Sequence, residues 1–372
     1  MRNGFFRVAC VVPETAPLDC RGNAEVLARC AAAAAEAEAG LVLFPELSLT
    51  GYSCGDMFHG GYLADAALDA LLLLRDATRD LSLAVVAGLP LRVDDGLYNC
   101  AAVLQSGHVL GLVPKSYLPE YAEYHEPRWF RRARDAGRTA VRIGGDPVPF
   151  GAGLLFEDAE AGAVFGVEIC EDLWAPLPPS AGMALDGATL LLNLSASSEQ
   201  VGKAVYRRKL VESHSGALSA AYAYVSSGPL ESTADVVFGS HVLVAENGHL
   251  LAEAGPLSSP GDSVPVPGGR MTVVDLDLLR MRRERARLTV FGDCAADRVR
   301  DRQGPGPRRV AFSASGGPGT PADVRHPTDP SPFVPSDPGQ VAARCRDVFA
   351  IQVAGLARRL RAAAPSASPA AI

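Results

Sequence analysis

The sequence predicts an α/β protein built as a four-layer α-β-β-α sandwich, two β-sheets packed face to face with helices outside. Three observations carry this. Strand-like and helix-like runs alternate between residues 5 and 88 and again between 163 and 226, the pattern of parallel strands covered by helices. Hairpins at 97–113 and 236–252 interrupt the alternation, so each sheet is mixed. The chain has 372 residues, 48% of them hydrophobic, enough for one large domain or two ordinary ones.

The elements follow in order. Residues 5–12 (FFRVACVV) read as a buried strand, and 23–39 as a helix capped by Asn23 and ended by Gly40. The strand 41–44 (LVLF) runs into Pro45, which stops it and hands Glu46 to a loop. A helix at 64–78 leads to the strand 83–88, and the hairpin around Ser106-Gly107 ends in Pro114-Lys115. Residues 117–138 are charged and aromatic, the composition of a lid or binding wall. Strands resume at 140–143, 153–156 and 163–169, the last delivering Cys170. A short helix at 179–186, a strand at 188–193, a helix at 203–221 and a strand at 222–226 make the second repeat. The hairpin 236–252 turns at Asn247-Gly248, followed by a strand at 271–276 and a charged helix at 278–287. This divides the chain into a domain over 1–290, a Pro/Gly-rich linker over 291–337, and a helix with a low-complexity tail over 338–372. Within the linker, Ser315-Gly316-Gly317-Pro318-Gly319 lacks the flanking strand and helix of a phosphate loop.

Composition excludes several classes of function. With Lys+Arg at 35 against Asp+Glu at 42 and no basic cluster among aromatics, a nucleic-acid surface is not expected; a small-molecule partner is. No stretch reaches the roughly 18 to 20 apolar residues of a membrane span, and the first residues lack a signal peptide's apolar core, so a cytoplasmic protein is expected. The eight cysteines, at 10, 20, 30, 54, 100, 170, 294 and 345, form no C-x-x-C pair, so neither a metal centre nor a disulfide framework is expected.

Three polar residues occupy equivalent places just beyond strands: Glu46, Lys115 and Cys170. A carboxylate, an ammonium and a thiol are what nucleophilic attack on an amide carbonyl requires. A free thiol has a pKa of about 8.5; a neighbouring ammonium favours the thiolate and a carboxylate takes the proton. The ammonium, with the backbone N–H after the nucleophile, then holds the oxyanion.

The motifs F-P-E-L-S-L-T-G-Y (44–52), P-K-S-Y-L-P-E-Y (114–121) and V-E-I-C-E-D-L-W (167–174) resemble the three catalytic motifs of the nitrilase, or carbon-nitrogen hydrolase, superfamily. The resemblance is nearest to the glutaminase domain of bacterial glutamine-dependent NAD synthetases and extends over residues 5–280, including N-L-S-A-S (193–197) and G-P-L-E-S-T-A-D (228–235). It implies the nitrilase-type sandwich and a cysteine-dependent hydrolysis of glutamine to glutamate and ammonia through a thioester. It also implies that Cys170 is the nucleophile, Glu46 the general base and acid, Lys115 the oxyanion partner and Glu126 a second glutamate of the catalytic group. Tyr52, Tyr121, Glu171 and Ser197 fall where that domain gathers the amino-acid end of glutamine, and Lys203 where close relatives place an arginine. No cofactor is implied.

The ATP-pyrophosphatase domain of the two-domain synthetases is missing, although 331–338 and 351–360 resemble the segment leading into it. The expectation is therefore a natural single-domain descendant that supplies ammonia to NAD synthesis or a similar amidation through a synthetase partner in trans, and that assembles as a homo-oligomer. A stand-alone amidase or amide-forming acyltransferase is the alternative, and a non-catalytic assembly subunit a third. An acyl adduct on Cys170 separates the first two by its mass and excludes the third.

Overall fold

Side-chain alternation along β1 (Phe5–Pro13) sets the layering. Phe6, Val8 and Cys10 face one apolar cluster, Ala9 and Val11 another, because successive residues of a strand point to opposite faces. In the computed structural model, residues 4–231, 235–257, 261–302, 304–313, 315–327 and 338–363 are described.

From the N-terminus the elements are β1, α1 (Cys20–Glu36), β2 (Leu41–Leu43), α2 (Gly61–Ala77), β3 (Ala84–Val93), β4 (Gly96–Gln105) and β5 (His108–Pro114). The pair β6 (Ala140–Ile143) and β7 (Asp146–Pro149) is followed by β8 (Leu155–Asp158), β9 (Ala163–Ile169), α3 (Pro179–Leu185), β10 (Leu190–Ser195), α4 (Lys203–Ala217) and β11 (Ala221–Ser226). Then come β12 (Val242–Glu246), β13 (His249–Ala254), β14 (Val264–Val266), β15 (Gly269–Asp277), α5 (Leu278–Arg287), α6 (Thr289–Asp301), β16 (Arg309–Ala311) and α7 (Pro338–Ala363). One sheet has the order β14-β15-β1-β2-β3-β4-β5, the other β13-β12-β11-β10-β9-β8-β16. Strands β1, β2 and β3 run parallel, as do β9, β10 and β11, and hairpins flank each trio.

The three apolar clusters are the three interfaces of a four-layer sandwich. Leu27 and Ala31 of α1 and Leu71 and Leu74 of α2 cover Val42, Val85 and Ala87 on the outer face of the first sheet. Val8, Leu43 and Val86 meet Val167, Leu192 and Val225 between the sheets. Met183 of α3 and Val211 of α4 cover Leu191, Tyr222 and Leu243 on the far side. The predicted fold class therefore holds. Among the described residues no helix is long and apolar enough to cross a membrane.

Several boundaries differ from expectation. Helix α1 starts at Cys20 and is capped by Asp19, whose carboxylate accepts from Gly22 N at 3.0 Å. Asn23 lies inside the first turn, and its amide bridges Ala16 and the Leu49 carbonyl. Both are good cap residues, and the long-range bridge that chooses between them has no local signal. Helix α4 ends at Ala217, and α6 extends beyond the compositional break at Gly292. The motif residues 232–234, the connector 331–337 and the tail from 364 lie outside the described residues.

Of the Pro/Gly-rich linker expected over 291–337, the described residues between 304 and 326 depart furthest. Residues 304–313 and 315–326 form a strap along the sandwich and borrow its core. Strand β16 pairs in parallel with β8, covering an otherwise open sheet edge. Phe312 is 8% exposed and meets Phe165 of the second sheet at 4.9 Å and Phe6 of the first at 6.3 Å between ring centroids. The Gln105 amide clasps the backbone of Ser313 in both directions, at 2.9 and 2.8 Å. Buried Arg7, paired with Asp275 at 2.7 Å, also donates to the Asp323 carbonyl at 2.7 Å. Phe312→Ala should lower unfolding stability by about 3 kcal/mol, the low end for a buried phenylalanine because the ring sits at the seam's edge. Denaturant titration checks this, and a loss below about 1 kcal/mol would mean the strap adds little to the core.

Beyond His326 a second unit contains α7, 26 residues long, with Phe349, Val353, Leu356 and Leu360 exposed.

Candidate active site

The polar groups sit just past strand ends, Glu46 and Cys170 after the parallel strands β2 and β9, as open α/β sheets dictate, and Lys115 after β5, which pairs antiparallel with β4. Pro45 ends the first sheet's second strand and Glu46 turns inward, 1% exposed. The neighbouring strand admits that loop only because residue 88 is glycine; a Cβ there would lie 2.2 Å from Leu47 N. Lys115 follows β5 directly and is fully buried. Cys170 follows β9 at φ +45°, a left-handed conformation that non-glycine residues seldom adopt and that marks functional turns. A single tight helical turn, Cys170–Leu173, continues from it.

These residues form one buried ionic chain. Lys115 Nζ lies 2.6 Å from Glu46 Oε1 and 2.6 Å from Glu126 Oε1. Asn99 Nδ2 donates to Glu46 Oε1 at 2.7 Å, and the Ala196 backbone N–H to Glu46 Oε2 at 2.9 Å. Tyr52 donates its hydroxyl to Glu126 at 2.8 Å, while the second Glu126 oxygen has no hydrogen-bond partner among the described residues. Burial alone would lower the pKa of Lys115; Glu126 and Glu46 outweigh it and hold the pKa well above the ordinary lysine value. Burial pushes Glu126 up to about 7, with Lys115 opposing and Glu46 reinforcing.

The thiol departs from the sequence-based expectation. Burial, then Glu46 and Glu126, push the Cys170 pKa up against the pull of Lys115. The Lys115 charge is already matched by two carboxylates, so the resting group is the thiol and not the thiolate. Its proton must leave as the sulfur attacks.

Cys170 opens into a cavity of about 510 Å³ whose walls include Tyr121, Glu171, Trp174, Ser197 and Lys203. Tyr121 and Glu171 are joined at 2.8 Å. Lys203 Nζ donates to Ser198 Oγ at 3.0 Å and sits 5.8 Å from the ring centroids of both Tyr124 and Trp174. Four of the five predicted substrate-binding residues thus line the cavity. Tyr52 is not among its lining residues; its hydroxyl is directed to Glu126.

Sequence reading missed several contributors. Asn99, a polar residue inside an apolar strand, carried a usable signal. Asp172 accepts backbone N–H groups from both the Cys170 turn and the loop after Lys115. Arg207, fully buried on α4, donates to Ser197 Oγ at 3.1 Å and pairs with His241 Nδ1 at 2.8 Å. In the run Arg207-Arg208 nothing local tells the buried arginine from the exposed one.

Residues 7–283 match a family model described as carbon-nitrogen hydrolase. The chain is 41% identical over 363 residues to the glutamine-dependent NAD(+) synthetase of Mycobacterium tuberculosis, covering 97% of this chain and 52% of that protein. It is 39% identical over 361 residues to the Mycobacterium leprae enzyme of the same description, covering 96% and 51%. The chain thus spans about half the length of these curated relatives. Among solved structures, a glutamine-dependent NAD(+) synthetase from Cytophaga hutchinsonii is similar with TM-score 0.61 and 26% identity, over 73% of this chain and 43% of that one. An amidase of the nitrilase superfamily from Nesterenkonia AN1 shares the fold with TM-score 0.57 and 22% identity, over 76% and 96%.

Proposed function

The chain belongs to the carbon-nitrogen hydrolase family, and from that premise we propose that it hydrolyses glutamine to glutamate and ammonia through a thioester on Cys170. The observation that carries this reading is the buried Glu46–Lys115–Glu126 chain beside a strained Cys170 that opens into a cavity with two carboxylates, Glu123 and Glu171, and one ammonium, Lys203, on its walls.

As Sγ attacks the side-chain amide carbon, Glu46 takes the thiol proton. Lys115 and the Glu171 backbone N–H stabilise the oxyanion. Collapse of the tetrahedral intermediate breaks the C–N bond, and Glu46 returns the proton to the departing nitrogen, which leaves as ammonia. Glu46 next deprotonates a water that attacks the thioester, releasing glutamate and restoring the thiol. Glu126 keeps Lys115 charged and in place. In the cavity, Glu171 faces the substrate's ammonium and Lys203 its carboxylate, with Tyr121 and Ser197 completing the wall. The freed ammonia serves a synthetase acting in trans, a reading supported by the likeness to glutamine-dependent NAD(+) synthetases, and the chain acts as a homo-oligomer.

A second reading, an amidase or acyltransferase on another amide, draws on Lys203, a point charge without the bidentate grip of a guanidinium. The test measures ammonia release from glutamine, asparagine and simple aliphatic amides side by side. Glutamine should be preferred over the uncharged aliphatic amides by at least about 100-fold in kcat/KM, roughly the worth of two charged contacts. Equal or better turnover of the uncharged amides would replace the first reading with the second.

A further inference from the structure

Two strands from different sheets, β5 and β9, deliver Lys115 and Cys170, and nothing in either strand's own hydrogen bonding holds the two ends in register. Asp172 does. It is 1% exposed, and its two carboxylate oxygens accept from backbone on both sides of the gap. Oδ2 takes Ile169 N at 3.0 Å, next to the nucleophile; Oδ1 takes Ser116 N at 3.0 Å and Tyr117 N at 2.8 Å, the two residues after Lys115. A longer contact, Ser116 N to Oδ2 at 3.3 Å, completes the set.

We propose that Asp172 is a positioning residue that fixes the distance between the attacking sulfur and the oxyanion-binding ammonium by clamping the Cys170 turn onto the Lys115 loop. This rests on the reading of Cys170 and Lys115 as the reacting groups. A carboxylate suits the task because hydrogen bonds to an ionised acceptor are roughly twice as strong as neutral ones, and because three donors converge on one side chain. Burial and the Glu168 carboxylate push its pKa up to about 8, while the N–H donors and Lys115 work the other way. Both oxygens accept, the pattern of the ionised form. A side chain that merely filled space would tie down one loop. Glu168, equally buried on β9 just before that turn, takes its contacts elsewhere, from Ser180 N and the Tyr222 hydroxyl.

Asp172→Asn keeps the shape but turns an NH₂ group toward a backbone donor, so one loop must swing away. In the full-length protein, kcat should fall by about 30- to 100-fold with KM changed less than about threefold, the signature of misplaced reacting groups. Amide hydrogen exchange at Ser116 and Tyr117 should accelerate at least about tenfold. Glu168→Gln should lower thermal stability while its kcat stays within about threefold of wild type. The proposal is overturned if Asp172→Asn keeps its kcat, if its loss appears only in KM, or if exchange at residues 116 and 117 is unchanged. Should Asp172→Asn not fold, exchange in the wild type decides: amides at 116 and 117 as protected as those of β5 support the clamp, and unprotected amides remove it. A wild type that hydrolyses no amide would instead remove the functional reading, leaving the exchange experiment to judge the clamp alone.

Discussion

Cys170→Ala should release no ammonia from glutamine above background, a loss of at least about 10⁴-fold, because the nucleophile has no substitute in the cavity. The other seven cysteines cannot take its place: those at 10, 20, 30, 54 and 100 are buried in the fold and those at 294 and 345 are exposed on helices α6 and α7. Substrate affinity should survive, since Glu171, Ser197 and Lys203 remain on the cavity wall; calorimetry should return a glutamine Kd within a few-fold of the wild-type value. Mass spectrometry of rapidly quenched wild type should show one glutamyl group added to the peptide containing Cys170, and none on the alanine variant. Residual turnover within tenfold of wild type, or an adduct on another residue, would end the thioester mechanism.

Lys115→Met should produce two losses of different kinds. Removing an oxyanion donor costs about 10²- to 10³-fold in kcat. Removing the cation between two buried carboxylates should also destabilise the fold by about 3 to 5 kcal/mol. The pH dependence distinguishes this from simple loss of packing. Without Lys115, which opposes the rise, burial and the neighbouring Glu46 charge hold the Glu126 pKa still further above that of the unfolded chain. A group whose folded pKa is raised in this way holds a proton that the unfolded chain gives up, so stability declines as pH rises from the unfolded pKa through the folded one. Wild-type Glu126, at about 7, already slopes in this direction. Denaturation midpoints at about pH 5.5 and about pH 8 should therefore diverge more for the variant than for wild type. Equal divergence would mean that Glu126 does not depend on Lys115.

The strand ends that present Glu46, Lys115 and Cys170 were legible because apolar runs stop abruptly at polar residues, two of them next to a proline. The sandwich was legible for the same reason: strand periodicity and hairpin turns are local signals. What local signals could not show is pairing across distance. Glu126 reaches Lys115, and Tyr52 reaches Glu126, from separate loops, and Asn23 is drawn from the cap position by a carbonyl 26 residues away. The state of the thiol depends on how many carboxylates share one ammonium, which only the assembled site displays. The strap was misread because composition reports whether a segment has a core of its own, not whether it can complete another's.

The strap also has a kinetic meaning. Gln105 is separated from Ser313 by 208 residues and Arg7 from Asp323 by 316. At roughly 5 to 20 residues per second, synthesis leaves the Gln105 clasp waiting about 10 to 40 s for its partner. For roughly the last 7 to 30 s of that interval, from the synthesis of Phe165 to that of Phe312, the β8 edge and the seam between Phe6 and Phe165 are uncovered, a sticky border on a nascent chain. Yield in the cell should therefore be governed by how well that border is shielded until Phe312 arrives.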